Sequence, residues 1–283
     1  MTALGPVGVC AAKACVWEAT ARKPGNVHRF ADFDDLSHTD FMLAASVLAP
    51  ELDRASSRPL GETILAGVEA SSRVCRSNAN LGIVLLLAPL AALPDERFPV
   101  GLTELLADTT EEDARLTYRA IRLAMPGGLG EVEEADVADE PTVTLVETMR
   151  LAADRDSIAR QYVEGFAELF EFGVPALLDG VKKYDALESA IVHCHLAWLA
   201  RCPDSLIARK FGPDVAYEVS RRAGDILRTD RIELDREPSS LREFDRWLRN
   251  RENRYNPGTT ADLAAATLFC ALRLGHLSDE LSW

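Results

Sequence analysis

The loop Arg22-Lys23-Pro24-Gly25-Asn26-Val27-His28-Arg29 sets four potential cations and an amide around a Pro-Gly turn. Such a loop can meet an anion, or it can be a solvated helix exit. A second segment, Cys202 to Gly212, carries Asp204 followed by Arg209 and Lys210 about a turn later. Asp204 suits the N-cap of a short helix, and it equally suits a metal or a sugar hydroxyl. In Ser77 to Gly82, Asn78 and Asn80 stand at the mouth of the most apolar stretch of the chain. One amide would cap that helix, and a phosphate would be at home on its N-terminus. The glycines of Gly127-Gly128-Leu129-Gly130 would let backbone approach a ligand closely, beside Glu131. Tyr255 to Asp262 is a turn with Asn256, Gly258 and Thr259, and Asp262 is either a capping-box acid or a ligand.

Other chemistries lack their residues. No G-x-x-x-x-G-K-[ST] loop, H-E-x-x-H helix or G-x-S-x-G turn occurs. His193 and His195 are two apart, so they do not share a helix face, and they read as core or surface histidines. We expect no zinc, haem or flavin. The ten arginines and eight acids between Arg221 and Arg254 read as salt-bridged helix faces. Six scattered cysteines without C-x-x-C spacing read as reduced thiols.

The elements that must carry these loops are helical almost throughout. Helices are expected over Val7 to Ala21, from a Ser37 cap to Ala49 before Pro50, over Gly61 to Cys75, and over Thr110 to Ala124. Leu81 to Leu93 is apolar on all sides and should be a central buried helix. Pro141 to Val146 is the one candidate strand. Further helices are expected over Asp156 to Phe172 closed by Gly173, over Tyr184 to Arg201, over Pro213 to Arg228, and over Ser239 to Arg251. A capping box at Thr259 to Asp262 should open the last one, which ends near Gly275. Six acids in Glu131 to Glu140 suggest a solvated loop, with Glu131 facing a site. The expectation is an all-α fold over residues 1–283, a single globular bundle of about ten or more helices with a polar cleft formed by interhelical loops.

Composition agrees. With 283 residues, 47% hydrophobic and 27% charged, the chain can bury a core, which excludes a disordered protein. A net charge of −14 argues against a nucleic-acid partner. The longest apolar stretch is too short for a bilayer, and the opening residues lack a signal pattern, so a cytoplasmic protein is expected.

Taken together in order and spacing, the five loops resemble the triphosphoribosyl-dephospho-CoA synthase family, from about Glu18 to Leu272. Lys23-Pro24-Gly25 followed by an aromatic-Asp segment, and Pro257 to Leu263, match it best. The resemblance implies an all-α transferase that uses ATP as ribosyl donor, releases adenine and joins the triphosphoribosyl group to a hydroxyl of dephospho-CoA, with magnesium on the triphosphate. It implies that Lys23 contacts phosphate and that Asp35, with Asp34 beside it, is a family acid. It makes Glu131, Asp204 and Asp262 the catalytic candidates, with Asp35 and Asp204 the candidates for metal. The nucleotide-binding candidates are Lys23, Asn26, His28, Asp35, Asn78, Asn80, Gly82, Gly128, Arg209, Lys210, Asn256, Gly258 and Thr259. The chain departs from the family where a His and a Lys become Asn80 and Leu81, an Arg becomes Leu129, and an Asn becomes Leu206. It is similar to the archaeal-type branch found alongside tetrahydromethanopterin-linked one-carbon metabolism, which implies as alternatives another nucleotide or pterin substrate, or binding without catalysis. The partners expected are a small-molecule nucleotide and a cofactor precursor, with no nucleic acid and no membrane; a homodimer is compatible with this reading.

Overall fold

Helices dominate the described residues (3–75, 80–124, 140–229, 231–234, 238–253, 255–277 and 282–283) of this computed structural model, and no strand occurs among them. In the first half run α1 (Pro6–Thr20), α2 (His38–Asp53), α3 (Leu60–Ser72), α4 (Leu81–Ala92), α5 (Leu102–Ala107), α6 (Glu111–Ala124), α7 (Leu145–Ala152) and α8 (Ser157–Val163). In the second run α9 (Val174–Lys183), α10 (Leu187–Arg201), α11 (Ser205–Phe211), α12 (Pro213–Thr229), α13 (Ser239–Asn253) and α14 (Gly258–Arg273). None of these helices is long and apolar enough to cross a membrane. The chain divides into two compact units, residues 1–15 with 39–167, and residues 16–38 with 168–283.

The first unit is built on α4, whose residues from Ile83 to Ala92 are all buried. It packs against α3, α5, α6 and α8. Pro89 sits inside α4 and has no N–H for the carbonyl of Leu85, four residues earlier. The hydroxyl of buried Tyr162, on α8, donates to that carbonyl at 2.6 Å. Asp113 on α6 accepts the N–H of Gly61 at the start of α3 and the N–H and hydroxyl of Thr110. Asp53, the last residue of α2, accepts the N–H groups of Gly5 and Gly8, which open α1.

The second unit is built on α10, which packs against α9, α12 and α14. Val192, Leu196 and Leu199 of α10 join Ala216, Val219 and Ala223 of α12, and Phe244 and Leu248 of α13, in one apolar cluster. On another side of α10, Trp198 donates to Thr267 of α14 at 3.0 Å.

Four expectations need correction. Pro141 to Val146 is no strand: Thr144 caps α7 in a capping box with Glu147, and the β-branched residues before it are simply its extended entry. Helix α2 continues through Pro50 to Asp53, where buried Leu52 and the Asp53 bonds to α1 offset the missing proline donor. Asp156 does cap a helix, but that helix stops at Val163, and the backbone turns at Gly165 and Phe166, both with positive φ. Gly173 is then no terminator. It ends a π-helical turn, Leu169–Gly173, that leads directly into α9, and a Cβ there would lie 2.7 Å from both Trp198 and Thr267. Finally, α14 begins at Gly258 with Pro257 as its N-cap, which makes no side-chain cap bond, rather than with Thr259 as the cap.

Replacing Tyr162 by Phe removes the one donor supplied to the proline-orphaned carbonyl of Leu85. The expected loss is about 1–3 kcal/mol of unfolding free energy in urea denaturation. An unchanged midpoint would show that the carbonyl finds another donor.

Candidate functional site

Lys23 does not present its ammonium to solvent. It is 0% exposed, and its Nζ lies 3.0 Å from the Glu18 carboxylate and reaches the carbonyls of Glu18, Ala21 and Val27. It therefore closes the C-terminal end of α1, where a cation and spare donors are both favourable. Burial lowers the Lys23 pKa and raises that of Glu18, and the attraction between them opposes both shifts. The expected phosphate contact by Lys23 is thus corrected: its charge is spent inside the protein.

The cations that do reach the surface of this loop are its neighbours. Glu188, at the start of α10 and 3% exposed, accepts the backbone N–H, Nε and Nη2 of Arg22, and Nη2 of Arg29 at 2.9 Å. Two guanidinium groups thus share one buried carboxylate. The loop is held from the other side by α13. Asp245 accepts the N–H of Gly25 at 2.7 Å and the Nε of Arg249, whose Nη2 donates to the Asn26 carbonyl. Gly25 has φ +73°, and a Cβ there would sit 2.7 Å from Leu248, so both the turn and its seat on α13 require glycine. Asp245 and Arg249 also line a cavity of about 840 Å³ along α13, with Arg242, Arg246, Trp247 and Asn250.

His28 lies in this loop, 8% exposed, and its Nδ1 accepts the Phe30 N–H. Burial, then the charges of Arg249, Lys23, Arg22 and Arg29, pull its pKa down to about 3. The loop is electropositive in a protein whose net charge is −14.

Three of the five sequence loops meet in the second unit. Asn26 donates to Asn256 at 2.9 Å. Asp204 caps α11 through the N–H groups of Leu206 and Ile207, and its other oxygen takes the N–H and hydroxyl of Thr260 in the first turn of α14. Ser205 and Thr259 hydroxyls lie 3.0 Å apart, and Leu206 packs onto Gly258. One buried carboxylate thus serves the first turns of two helices. A carboxylate has about four lone-pair directions, and Asp204 faces four donors, so no place is left for a metal. Burial raises the Asp204 pKa, against the pull of those donors.

The remaining candidates are not among the bonds just described. Arg209 and Lys210 are exposed on the last turn of α11, Asp262 is partly exposed on α14, and Asp35 is exposed after the first loop. Asn80 and Gly82 belong to the first unit, at the start of α4. Asn80 is 3% exposed, and neither amide atom has a hydrogen-bond partner among the described residues. Asn78, Gly128 and Glu131 lie outside the described residues. No group of three or more His, Cys, Asp or Glu among the described residues could hold a metal ion.

The model of the CitG family, ATP:dephospho-CoA triphosphoribosyl transferase, matches residues 6–280. The chain belongs to this family. Its members are transferases, and this chain is an enzyme of that class. A crystal structure from Archaeoglobus fulgidus, assigned as a triphosphoribosyl-dephospho-CoA synthase, is similar at a TM-score of 0.64 and 27% identity, covering 82% of this chain and 98% of that one. No curated protein matches the chain.

Motif reading in this CitG-family chain did not single out Glu188, Asp245 or Arg249. Glu188 reads as an ordinary acid in a first helical turn, and Arg249 is one of ten arginines in its stretch. The spacing between an acid in α10 and a loop 159 to 166 residues earlier carries no local signal.

Two predictions follow from this geometry. Asp204→Asn turns an acceptor facing the Thr260 N–H and hydroxyl into a donor. It should cost about 1–3 kcal/mol of stability by thermal or urea unfolding. An unchanged unfolding midpoint would show that Asp204 is not the cap we describe. The second prediction concerns acid. His28 and fully buried His195 both have folded pKa values of about 3, below the ordinary 6.5. Below pH 6.5 the unfolded chain binds protons that the folded chain refuses. Stability is therefore full above pH 6.5 and falls on acidification towards pH 3, by up to about 1.4 kcal/mol per pH unit for each histidine. Urea midpoints measured across that window should slope less in His28→Gln than in the parent protein.

Proposed function

We propose that the chain transfers the triphosphoribosyl group of ATP to a hydroxyl of dephospho-CoA and releases adenine. The observation that carries this reading is the pair of arginines, Arg22 and Arg29, locked on buried Glu188 at the loop that matches the family best. A triphosphate needs cations held in place before it arrives. Where the family has a His, a Lys and an Arg, this chain has Asn80, Leu81 and Leu129, and Arg22 and Arg29 supply charge instead. Guanidinium groups suit this task because they bind phosphate oxygens in a planar fork.

In the reaction the bond between ribose C1′ and the adenine nitrogen breaks, positive charge builds on the ribose, and the acceptor oxygen bonds to C1′ as its proton leaves. Asp204 acts here by positioning, since it fixes the first turn of α14 against α11. Asp262, on α14, is the described carboxylate we assign to the developing charge or the acceptor proton. Magnesium enters with the triphosphate as part of the substrate, since hard phosphate oxygens are its favoured ligands.

A second reading is favoured by Leu81 and Leu129: a nucleotide or pterin ligand of different chemistry, bound with or without turnover. One assay separates the two. Protein incubated with ATP and magnesium should release adenine, followed by chromatography, when dephospho-CoA is present and not when it is omitted. Arg29→Gln should lower kcat/KM by about tenfold or more, the effect of one charge-assisted hydrogen bond. Absence of adenine under all conditions, with ATP still raising the melting temperature, would reject transfer to dephospho-CoA and leave the second reading.

A further inference from the structure

Phe30 is 69% exposed, yet its backbone is held firmly. His28 and Ala31 exchange two backbone hydrogen bonds, of 3.1 and 2.8 Å, and the Phe30 N–H between them donates to the His28 ring at 3.2 Å. The bend thus fixes the base of the side chain and leaves most of the ring to water. Such exposure forfeits the burial free energy of a large aromatic group.

The ring has charged company. The Arg29 guanidinium lies 4.9 Å from its centroid and that of Arg22 lies 5.8 Å away. Arg29 also sits 5.5 Å from the ring of Trp283, which is 41% exposed. Among the described residues, Glu188 takes one N–H of Arg29 and no other acceptor is present, so the rest of its fork is open to an anion. A firmly held aromatic face beside an anchored, partly unused guanidinium suits a flat ring that carries phosphate.

We propose that Phe30 is the stacking surface for the adenine ring of a phosphorylated ligand, with Arg29 taking a phosphate oxygen of the same molecule. This rests on the transfer reading above, in which both donor and acceptor, ATP and dephospho-CoA, carry adenine and phosphate. The shared chemistry is an adenine nucleotide, and the titrations below distinguish which molecule supplies it. Arg22 flanks the ring, and Trp283 lies against Arg29.

The test is calorimetric titration of the parent protein, Phe30→Ala, Phe30→Trp and Arg29→Gln with ATP, dephospho-CoA and inorganic triphosphate. Phe30→Ala should weaken ATP, dephospho-CoA or both by about tenfold, within the range that loss of a base-stacking aromatic produces. It should leave inorganic triphosphate within about twofold. Phe30→Trp should bind as the parent does or more tightly. Arg29→Gln should weaken triphosphate as well as the nucleotide. The exposed position makes Phe30→Ala a safe substitution for folding, and an unchanged melting temperature checks it. If Phe30→Ala binds both nucleotides as tightly as the parent, the platform is overturned while nucleotide binding and transfer stand. If it loses triphosphate as severely as ATP, the ring merely supports the loop, and the platform is again overturned. If the parent binds nucleotide through Phe30 but releases no adenine, the platform stands and the transfer reading fails.

Discussion

A carboxylate buried at the start of α10 is the constraint on which the candidate site depends. Glu188 is 3% exposed, and an ionised carboxylate there is tolerable only because two guanidinium groups and a backbone N–H close upon it. The arrangement also works in reverse. Two long, rotamer-rich arginines are fixed at a place where one of them keeps unused donors. The ordering cost that a binding loop would otherwise meet when its ligand arrives has already been met during folding. The wider loop is fixed in the same manner. Lys23 is turned inward to close α1, Asp245 holds Gly25, and Arg249 holds Asn26.

Carboxylates acting across sequence distance recur through the fold. Asp53 meets the first N–H groups of α1, Asp113 that of α3, and Asp204 those of α11 and α14 together. A helix leaves its first N–H groups without internal partners, and an all-α protein must find acceptors for every such end. Helices α7, α8 and α11 are capped by the residue just before them, whereas the starts of α1, α3 and α14 take an acid from another part of the chain. Such a long-range cap ties the helix start to a second element, so the cap also fixes where the helix sits. For Asp204 the consequence reaches the site, because the turn that holds Asn256 and Gly258 feeds directly into the helix it caps.

The division between what the sequence discloses and what it hides follows from this. Helices with a strong local signal were legible: α4 from its unbroken apolar stretch, α6 from its acidic first turn, and the start of α8 from the amphipathic pattern that opens at Asp156. The family loops were legible as well, and three of them do converge. What local reading could not reach was the partner of each polar group. Lys23 carries the same letters whether its ammonium faces phosphate or the carbonyls of α1. Thr259 to Asp262 has the spacing of a capping box, yet Thr260 gives its donors to an acid 56 residues earlier. Gly173 looks like a terminator, and its real reason is the indole of Trp198 lying against it. In each case the local pattern was real, and a long-range contact decided its use.

The distribution of charge bears on how an anion could be held. Lys23 is turned inward, and the chain as a whole is acidic. On the transfer reading, the charge that meets a triphosphate must then be local. The low pKa of His28 reports such a field, because after burial the causes that depress it are the four surrounding cations, Arg249, Lys23, Arg22 and Arg29. An anion placed among them would relieve that repulsion and raise the proton affinity of His28. Ligand binding at this loop should therefore draw in protons more readily than binding elsewhere on the molecule, and His28, a binding candidate from its place in the motif, becomes the natural reporter of whether the anion is there.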